Sequence, residues 1–541
     1  MKRMVYSSFV FFVTVLLFRC TTDIAGGPGS GSETTNAFTL CALYPDGDPA
    51  VRATVRLRPV DYLLKSGSYD NSSYIDTVTD EKGFVVFSGI DSGKYIVEVN
   101  DRHGYAALIA CSVALAGDIA PVSGMMRKTS SLSGRISDGA DFTSLIVQVY
   151  GLERLAEVDP LTGYFTIEDV PEGVFTLRVS SIKDTGVSVQ IRGIMVSSET
   201  GAAPLTIDLN WPFRTNLFIN TTADGAGVSE TVYNFPLAVK LDETNFDFSH
   251  TVATYPLISF VDAAGDTLAH EVELWDSIGQ NALIWVNMDT LPGDTVVIIT
   301  MLSDKKNDAN SFNHGVVFDT SEGFQAVWHL GDVNTGTVHD ATQNSFEGTS
   351  YSLHSVTDGI LGKCTPFSDS GYIEIPNSAQ GKIDFGENGT FTLSAWVKTE
   401  ELDSLFHDIV SKGNFQYGLQ INKYVQYNFY TFRDGSGWNC TDASVIKENW
   451  VYVAGIRSGM EQYLYINGTV ADTIPLLRED NARFSSVNNI MIGRRSDLPD
   501  RYFSGLLDEI RIENRNRGAA WIKLCFENQK PGQKMVYLPR M

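Results

Sequence analysis

An ungapped internal repeat constrains this chain more than any other feature. Gly83-Phe84-Val85-Val86-Phe87, followed by Gly93-Lys94-Tyr95-Ile96-Val97-Glu98-Val99, aligns onto Gly163-Tyr164-Phe165-Thr166-Ile167 and Gly173-Val174-Phe175-Thr176-Leu177-Arg178-Val179 at a constant offset of 80 residues. Each copy reads as two strands joined through a Gly-bearing turn. The second strand alternates as a half-buried strand must, with Tyr95, Val97 and Val99 set against Lys94, Ile96 and Glu98. Such a unit, occurring twice, predicts two consecutive β-sandwich modules.

The turn pattern D-x-x-G-x-F before G-x-Y-x-V-x-V resembles the carboxypeptidase regulatory-like (prealbumin-like) modules of bacterial envelope proteins. The resemblance covers residues 37–125 and 126–210. It implies spacer or scaffold modules and brings no catalytic set.

A third β-rich region spans 211–315 and holds Asn234-Phe235-Pro236-Leu237, Glu273-Leu274-Trp275-Asp276 and Ala282-Leu283-Ile284-Trp285-Val286. It resembles an uncharacterised domain that sits just upstream of a jelly roll in large envelope proteins. Trp275 and Trp285 have alternating apolar neighbours, which favours core packing over stacking on sugar.

Residues 320–541 carry the most information. Ala326-Val327-Trp328-His329-Leu330-Gly331-Asp332 opens the region, and Phe391-Thr392-Leu393-Ser394-Ala395-Trp396-Val397 alternates as a strand. Asn467-Gly468 supplies the positive-φ pair of a tight hairpin between Leu464-Tyr465-Ile466 and the residues after it. Near the end comes Gly505-Leu506-Leu507-Asp508-Glu509-Ile510-Arg511-Ile512. Together these resemble the laminin G-like/concanavalin A-like jelly roll over its full length. The expected fold class is all-β, a multidomain string of β-sandwiches ending in that jelly roll.

The fold hosts lectins, calcium-dependent adhesion modules and glucanases, so candidate residues must discriminate. A glucanase needs a nucleophile and an acid/base about 5–5.5 Å apart for retention. The nearest run, Glu509-Ile510-Arg511-Ile512-Glu513, has an arginine at its centre and reads as a solvated strand face. No Gly-rich phosphate loop, His-Glu-x-x-His or Gly-x-Ser-x-Gly is present. The expectation is therefore a chain that is not an enzyme.

Strict alternation puts Asp508 on the inward face with Leu506, Ile510 and Ile512. A carboxylate there needs hydrogen-bond donors or a metal. Turn capping is one reading; calcium held by Asp332, Asp340 and Asp508 is the other. For sugar, the loop Asp434-Gly435-Ser436-Gly437-Trp438 presents a tryptophan, with Tyr417, Tyr427 and Tyr430 near it in sequence. Trp438, Tyr417 and Tyr430 are the ligand-binding candidates.

Residues 1–20 read as an export signal, with Lys2 and Arg3 ahead of the apolar run Phe9 to Phe18. Leu17-Phe18-Arg19-Cys20 resembles the lipobox of bacterial lipoproteins, which implies lipidation at Cys20. Arg19 stands where that family usually has a small residue, so an ordinary signal peptide is the alternative. Residues 21–36, rich in Gly, Ser and Thr, have the composition of a flexible tether. Of six cysteines, Cys41 and Cys111 are expected to pair.

Acidic residues outnumber basic ones 65 to 41, giving a formal charge of −24, which argues against nucleic acid as a partner. The expected role is a lipid-anchored protein of the bacterial outer membrane or cell surface. It would serve in adhesion or carbohydrate binding, its partner a polysaccharide, a cell-surface glycan or another envelope protein. A concanavalin-like glycan-processing enzyme and a purely structural envelope protein are the alternatives.

Overall fold

The computed structural model describes residues 37–540, apart from 65–74, 114–120, 138–141, 185, 251–256, 305–316, 369, 378–380, 386–388, 401, 414–415, 434–436, 460 and 477–486. The export signal, Cys20 and the tether lie outside the described residues. The chain is all-β, built from several sheets, and divides into two compact units: residues 1–216 with 302–307, and 217–301 with 308–541.

In the first unit, the repeat occupies equivalent places in two sandwiches. Phe84–Ser88 pairs antiparallel with Ala37–Leu43, and Tyr164–Val170 pairs antiparallel with Ser130–Ile136. The second strands of the repeat, Gly93–Asn100 and Gly173–Ser181, belong to the other sheet of each sandwich. The two strands of a copy therefore do not pair with each other; the link between them crosses from sheet to sheet. Each sandwich closes its own core, Phe38, Leu40, Val55, Phe87 and Val97 in one, and Leu132, Val147, Phe165, Leu177 and Ile191 in the other. Gly83 marks the turn: its φ is 79°, and a Cβ there would meet the Ala42 carbonyl oxygen at 2.5 Å.

The expected disulfide between Cys41 and Cys111 is not formed, and the two lie on different sheets of the sandwich. Cys41 alternates with the buried Phe38, Leu40 and Ala42, so its side chain leaves the outer face of one sheet. Cys111 packs against the core from the opposite sheet, in register with Tyr95, and no disulfide joins the described cysteines.

The second unit contains the jelly roll. One sheet runs Thr357–Asp358, Lys363–Phe367, Gly505–Glu513, Phe391–Thr399, Val451–Ser458, Glu461–Ile466 and Thr469–Pro475, with Phe324–Trp328 also paired to Gly505–Glu513. The other runs Thr337–Val338, Gly348–Tyr351, Tyr372–Ile375, Ile490–Ile492, His407–Ser411, Tyr417–Ile421, Gln426–Arg433 and Gly437–Ser444. Their facing sides enclose Trp328, Ile373, Leu393, Leu419, Phe429, Leu507 and Ile510. Asn467 at φ 50° and Gly468 at φ 79° make the tight hairpin their sequence demands.

The reverse side of the first sheet is not solvated. A three-stranded sheet of Val232–Asp242, Asn281–Leu291 and His270–Asp276 packs with it, and one core runs through both. Phe235, Ile284, Trp285 and Phe260 share that core with Val327, Trp396, Tyr452 and the helix Ala519–Gln529. The helix fastens the two. Gln529 Oε1 accepts from Trp396 Nε1 at 2.6 Å, while Asn528 bridges the backbone amide and carbonyl of Ala238 at 2.7 and 3.0 Å. These two amide side chains satisfy polar groups that the shared core would otherwise strand.

Candidate functional site

Two features of the second unit carry chemistry. The first arises from a bulge in the strand Gly505–Glu513. Trp396 pairs with Asp508 and Ser394 with Arg511, so Glu509 and Ile510 together oppose Ala395. Glu509 takes φ 52° at the bulge, a left-handed conformation that costs a non-glycine residue about 1–3 kcal/mol. The phase of the strand flips there. Leu507, Ile510 and Ile512 enter the jelly-roll core, and Asp508, Glu509, Arg511 and Glu513 turn to the opposite side.

This corrects two expectations. Asp508 does not share the face of Ile510 and Ile512, and the run Glu509 to Glu513 is not solvated: the neighbouring sheet and helix bury all three of its charged residues to 2% exposure or less. The acidic doublet Asp508-Glu509, which breaks the two-residue period, was the available signal.

At the bulge three elements converge. Glu509 comes from the bulged strand, His329 directly follows Phe324–Trp328, and Glu273 lies on His270–Asp276. A carboxylate oxygen from each glutamate and one imidazole nitrogen lie within 4.8 Å of one another. His329 Nδ1 is hydrogen-bonded to Glu509 and lies 3.4 Å from Glu273 Oε2. Trp285 Nε1 donates to Glu273 Oε2 at 2.7 Å, and Arg511 Nη2 donates to Glu509 Oε2 at 2.7 Å. Arg511 also lies over the rings of Trp285 and Phe318. Trp285 is thus a core residue, and the partly buried Trp275 packs against the same core, as their neighbours in sequence suggest.

Burial raises the carboxyl of Glu273, with His329 opposing the rise. Burial pulls the imidazole of His329 down, but the flanking Glu509 and Glu273 carboxylates overcome it and raise it. Burial also works against ionisation of Glu509, yet His329 and Arg511 hold its carboxyl below the ordinary value. Glu273 and His329 line a cavity of about 570 Å³ whose other polar walls include Glu271, Asp332, His339, Thr342, Gln343 and Lys363.

The calcium candidates do not converge. Asp332 and Asp340 line the cavity, whereas the fully buried Asp508 is not among its walls. Asp340 is a turn cap whose oxygens accept from the amides of Val327, Thr342 and Phe346 and from Thr342 Oγ1. Asp332 Oδ2 accepts from the His339 amide at 2.8 Å. Asp508 Oδ2 caps the Ile360 and Leu361 amides at 3.0 and 3.1 Å, and burial raises its carboxyl well above the ordinary range.

The second feature is the outer face of the other jelly-roll sheet. Tyr417 and Tyr430 cannot offer a ring to a ligand: they are 0% and 1% exposed. Tyr417 packs on Phe391, and its hydroxyl donates to the Ile383 carbonyl. Tyr427 is buried too. Trp438 is half exposed and rests edge-on against Phe432 across the hairpin.

An aromatic stack lies elsewhere on this sheet. Tyr351 and Tyr372, cross-strand partners, stack with centroids 4.7 Å apart at 14°, and the Arg494 guanidinium lies 3.8 Å from the Tyr372 ring. Tyr351 keeps 40% of its surface exposed. Alternation explains the placement, since Ile373 and Ile375 enter the core and Tyr372 and Glu374 must face out. Asn489 Nδ2 donates to Glu374 Oε1 at 2.6 Å beside them. The two tyrosines lie on segments that share no motif, so only the strand pairing reveals them.

Residues 367–523 match the family described as the concanavalin A-like lectin/glucanases superfamily. The C-terminal region therefore carries a concanavalin A-like domain. No curated protein matches the chain. Among solved structures, it is similar to the binding domain of Paraclostridial Mosquitocidal Protein 1 at 15% identity and a TM-score of 0.31, covering 38% of this chain and 52% of that one.

Domain 4 of AbnA, a GH43 extracellular arabinanase from Geobacillus stearothermophilus, in complex with arabinotriose, is similar at 17% identity and a TM-score of 0.28, covering 37% and 97%. The binding domain of botulinum neurotoxin DC in complex with rat synaptotagmin II is similar at 15% identity and a TM-score of 0.30, covering 37% and 53%. The chain thus spans about half the length of the first and third of these structures.

Proposed function

We propose that this chain is an exported, lipid-anchored surface protein whose concanavalin A-like domain binds glycan without processing it. The observation that carries the reading is the stack of Tyr351, Tyr372 and Arg494 on an open sheet face. The exposed face of Tyr351 offers an apolar surface to the C–H side of a pyranose ring. Glu374, Asn489 and Arg494 supply hydrogen-bonding groups for its hydroxyls.

A superfamily description that names lectins supports the ligand class. Glu374 stands two residues from Tyr372 on the same strand face, and hydrolysis of a glycosidic bond would need a second carboxyl group paired with it. Cys20 would hold the lipid, residues 21–36 the tether, and the two repeat-bearing sandwiches would act as regulatory-like spacers.

The test is a glycan array with the purified protein and its Tyr351→Ala variant, with reducing-sugar release measured on every hit. The expected result is binding that falls at least about tenfold in the variant, with an unchanged melting temperature and no sugar released. Release would replace this reading with a glycan-processing enzyme. A folded protein that binds no glycan would replace it with a structural role.

A further inference from the structure

The structure assigns a divalent transition-metal site of the zinc type to Glu273, His329 and Glu509, at the wall of the 570 Å³ cavity. The assignment does not depend on glycan binding at the tyrosine stack.

Geometry is the first support. Zinc holds nitrogen and oxygen ligands at about 2.0–2.2 Å, which sets tetrahedral ligand atoms roughly 3.3–3.5 Å apart. His329 Nδ1 and Glu273 Oε2 already stand 3.4 Å apart. Glu509 is drawn closer to His329 by a hydrogen bond, and an ion entering between them displaces that shared proton. Its other oxygen stays on Arg511, which orients the carboxylate as outer partners of metal ligands do. Trp285 Nε1 fixes Glu273 by donating to Oε2, the ligand oxygen itself.

Charge is the second support. Four carboxylates, of Glu271, Glu273, Asp508 and Glu509, act on this cluster, against the fixed cations Arg511 and Lys240. A divalent ion held by Glu273, His329 and Glu509 places positive charge where these carboxyl groups crowd together.

The third support is an unmet group. Asp508 is fully buried and has no hydrogen-bond partner for Oδ1, although its electrostatic neighbours are Glu509, Glu273 and His329. The oxygen left without a partner belongs to the residue next to Glu509, beside the position the ion takes. An imidazole with two carboxylates selects zinc, cobalt or nickel over calcium, which takes six to eight oxygens. Because Glu273 and His329 also form the cavity wall, the remaining coordination position faces a space large enough for water or a small oxygen ligand.

The test uses the purified protein, stripped with chelator and dialysed against micromolar zinc chloride, with metal content, melting temperature and the visible spectrum of the cobalt-loaded form as readouts. One zinc per chain is expected, with a melting temperature several degrees above that of the stripped protein and cobalt bands of a low-symmetry site between about 500 and 650 nm. Glu273→Gln and His329→Gln should each weaken zinc binding at least about a hundredfold.

A folded wild-type protein that takes up less than a tenth of an equivalent and melts at the same temperature with and without zinc overturns the assignment. So does a full complement of metal retained by both variants. The wild-type cobalt spectrum decides the matter even if a variant fails to fold, since absence of ligand-field bands also overturns it.

Discussion

The two halves of this protein each join a pair of β-domains, and they do so with different chemistry. In the first unit the sandwiches keep separate cores and meet through ion pairs, with Ile96 and Leu108 of the first packing on the core of the second. Arg58, 1% exposed, pairs with Glu153 across the seam at 2.5 Å and with Asp76 of its own sandwich at 2.7 Å, and Arg154 reaches Glu98 at 2.8 Å. In the second unit the three-stranded sheet and the jelly roll share one apolar core that includes Phe235, Trp285, Trp396 and Trp521. A charged seam lets each partner fold alone, since its groups can be rehydrated; an apolar seam does not, because separation exposes it to water.

Separation gives the largest expected contrast. A fragment of residues 317–541 should expose Trp396, Tyr452 and the helix face and appear as aggregate or as an ANS-binding species without near-UV dichroism. A fragment of residues 37–125 should elute as a folded monomer in size-exclusion chromatography. If the first fragment is monomeric and dye-silent, the two seams do not differ as described.

Trp521→Ala comes next. Trp521 is 5% exposed and meets Phe235 edge-on at 5.3 Å, so its loss should cost about 3–5 kcal/mol. Because the core is shared, calorimetry should show the whole second unit melting lower in one transition, not two. Arg58→Ala should cost less, about 1–3 kcal/mol in denaturant titrations of the first unit, because the carboxylates it leaves can turn to water.

Asp408 sharpens the contrast from inside the jelly roll. It is fully buried, with the Arg501 guanidinium 3.9 Å away, and burial pushes its carboxyl up to about 7. The folded state therefore favours the protonated form. The stability this confers is complete below about pH 4 and is lost as pH rises from there to about 7. Relative to wild type, Asp408→Asn should melt at a constant offset below pH 4, gain steadily between pH 4 and 7, and hold that gain above it. An offset that does not change with pH would place the titration elsewhere. The smallest effect belongs to Trp438→Ala, expected within about 0.5 kcal/mol of wild type in thermal melts, since half of the ring is already in water.

Much of the fold was legible because it rests on local rules. The repeat marks equivalent strands in two sandwiches, Asn467-Gly468 makes its turn, and the alternation in Phe391–Thr399 buries Leu393, Ala395 and Val397 between the sheets. The candidate sites were far less legible. Proximity in sequence suggested Tyr417 and Tyr430 as companions of Trp438, yet both rings are buried. Period-two counting carried Asp508 into the wrong face because one extra residue at the bulge inverts everything upstream of it.

What the sequence determined by itself was the set of strands, their turns and the all-β class, because turn chemistry and alternating burial act over a few residues. Only the tertiary structure decided which faces are covered. Glu273, His329 and Glu509 are separated by 56 and 180 residues, and they meet because a neighbouring sheet closes over a bulged strand. A charged strand face reads as solvated until something packs on it, and that packing is a long-range fact no local pattern contains.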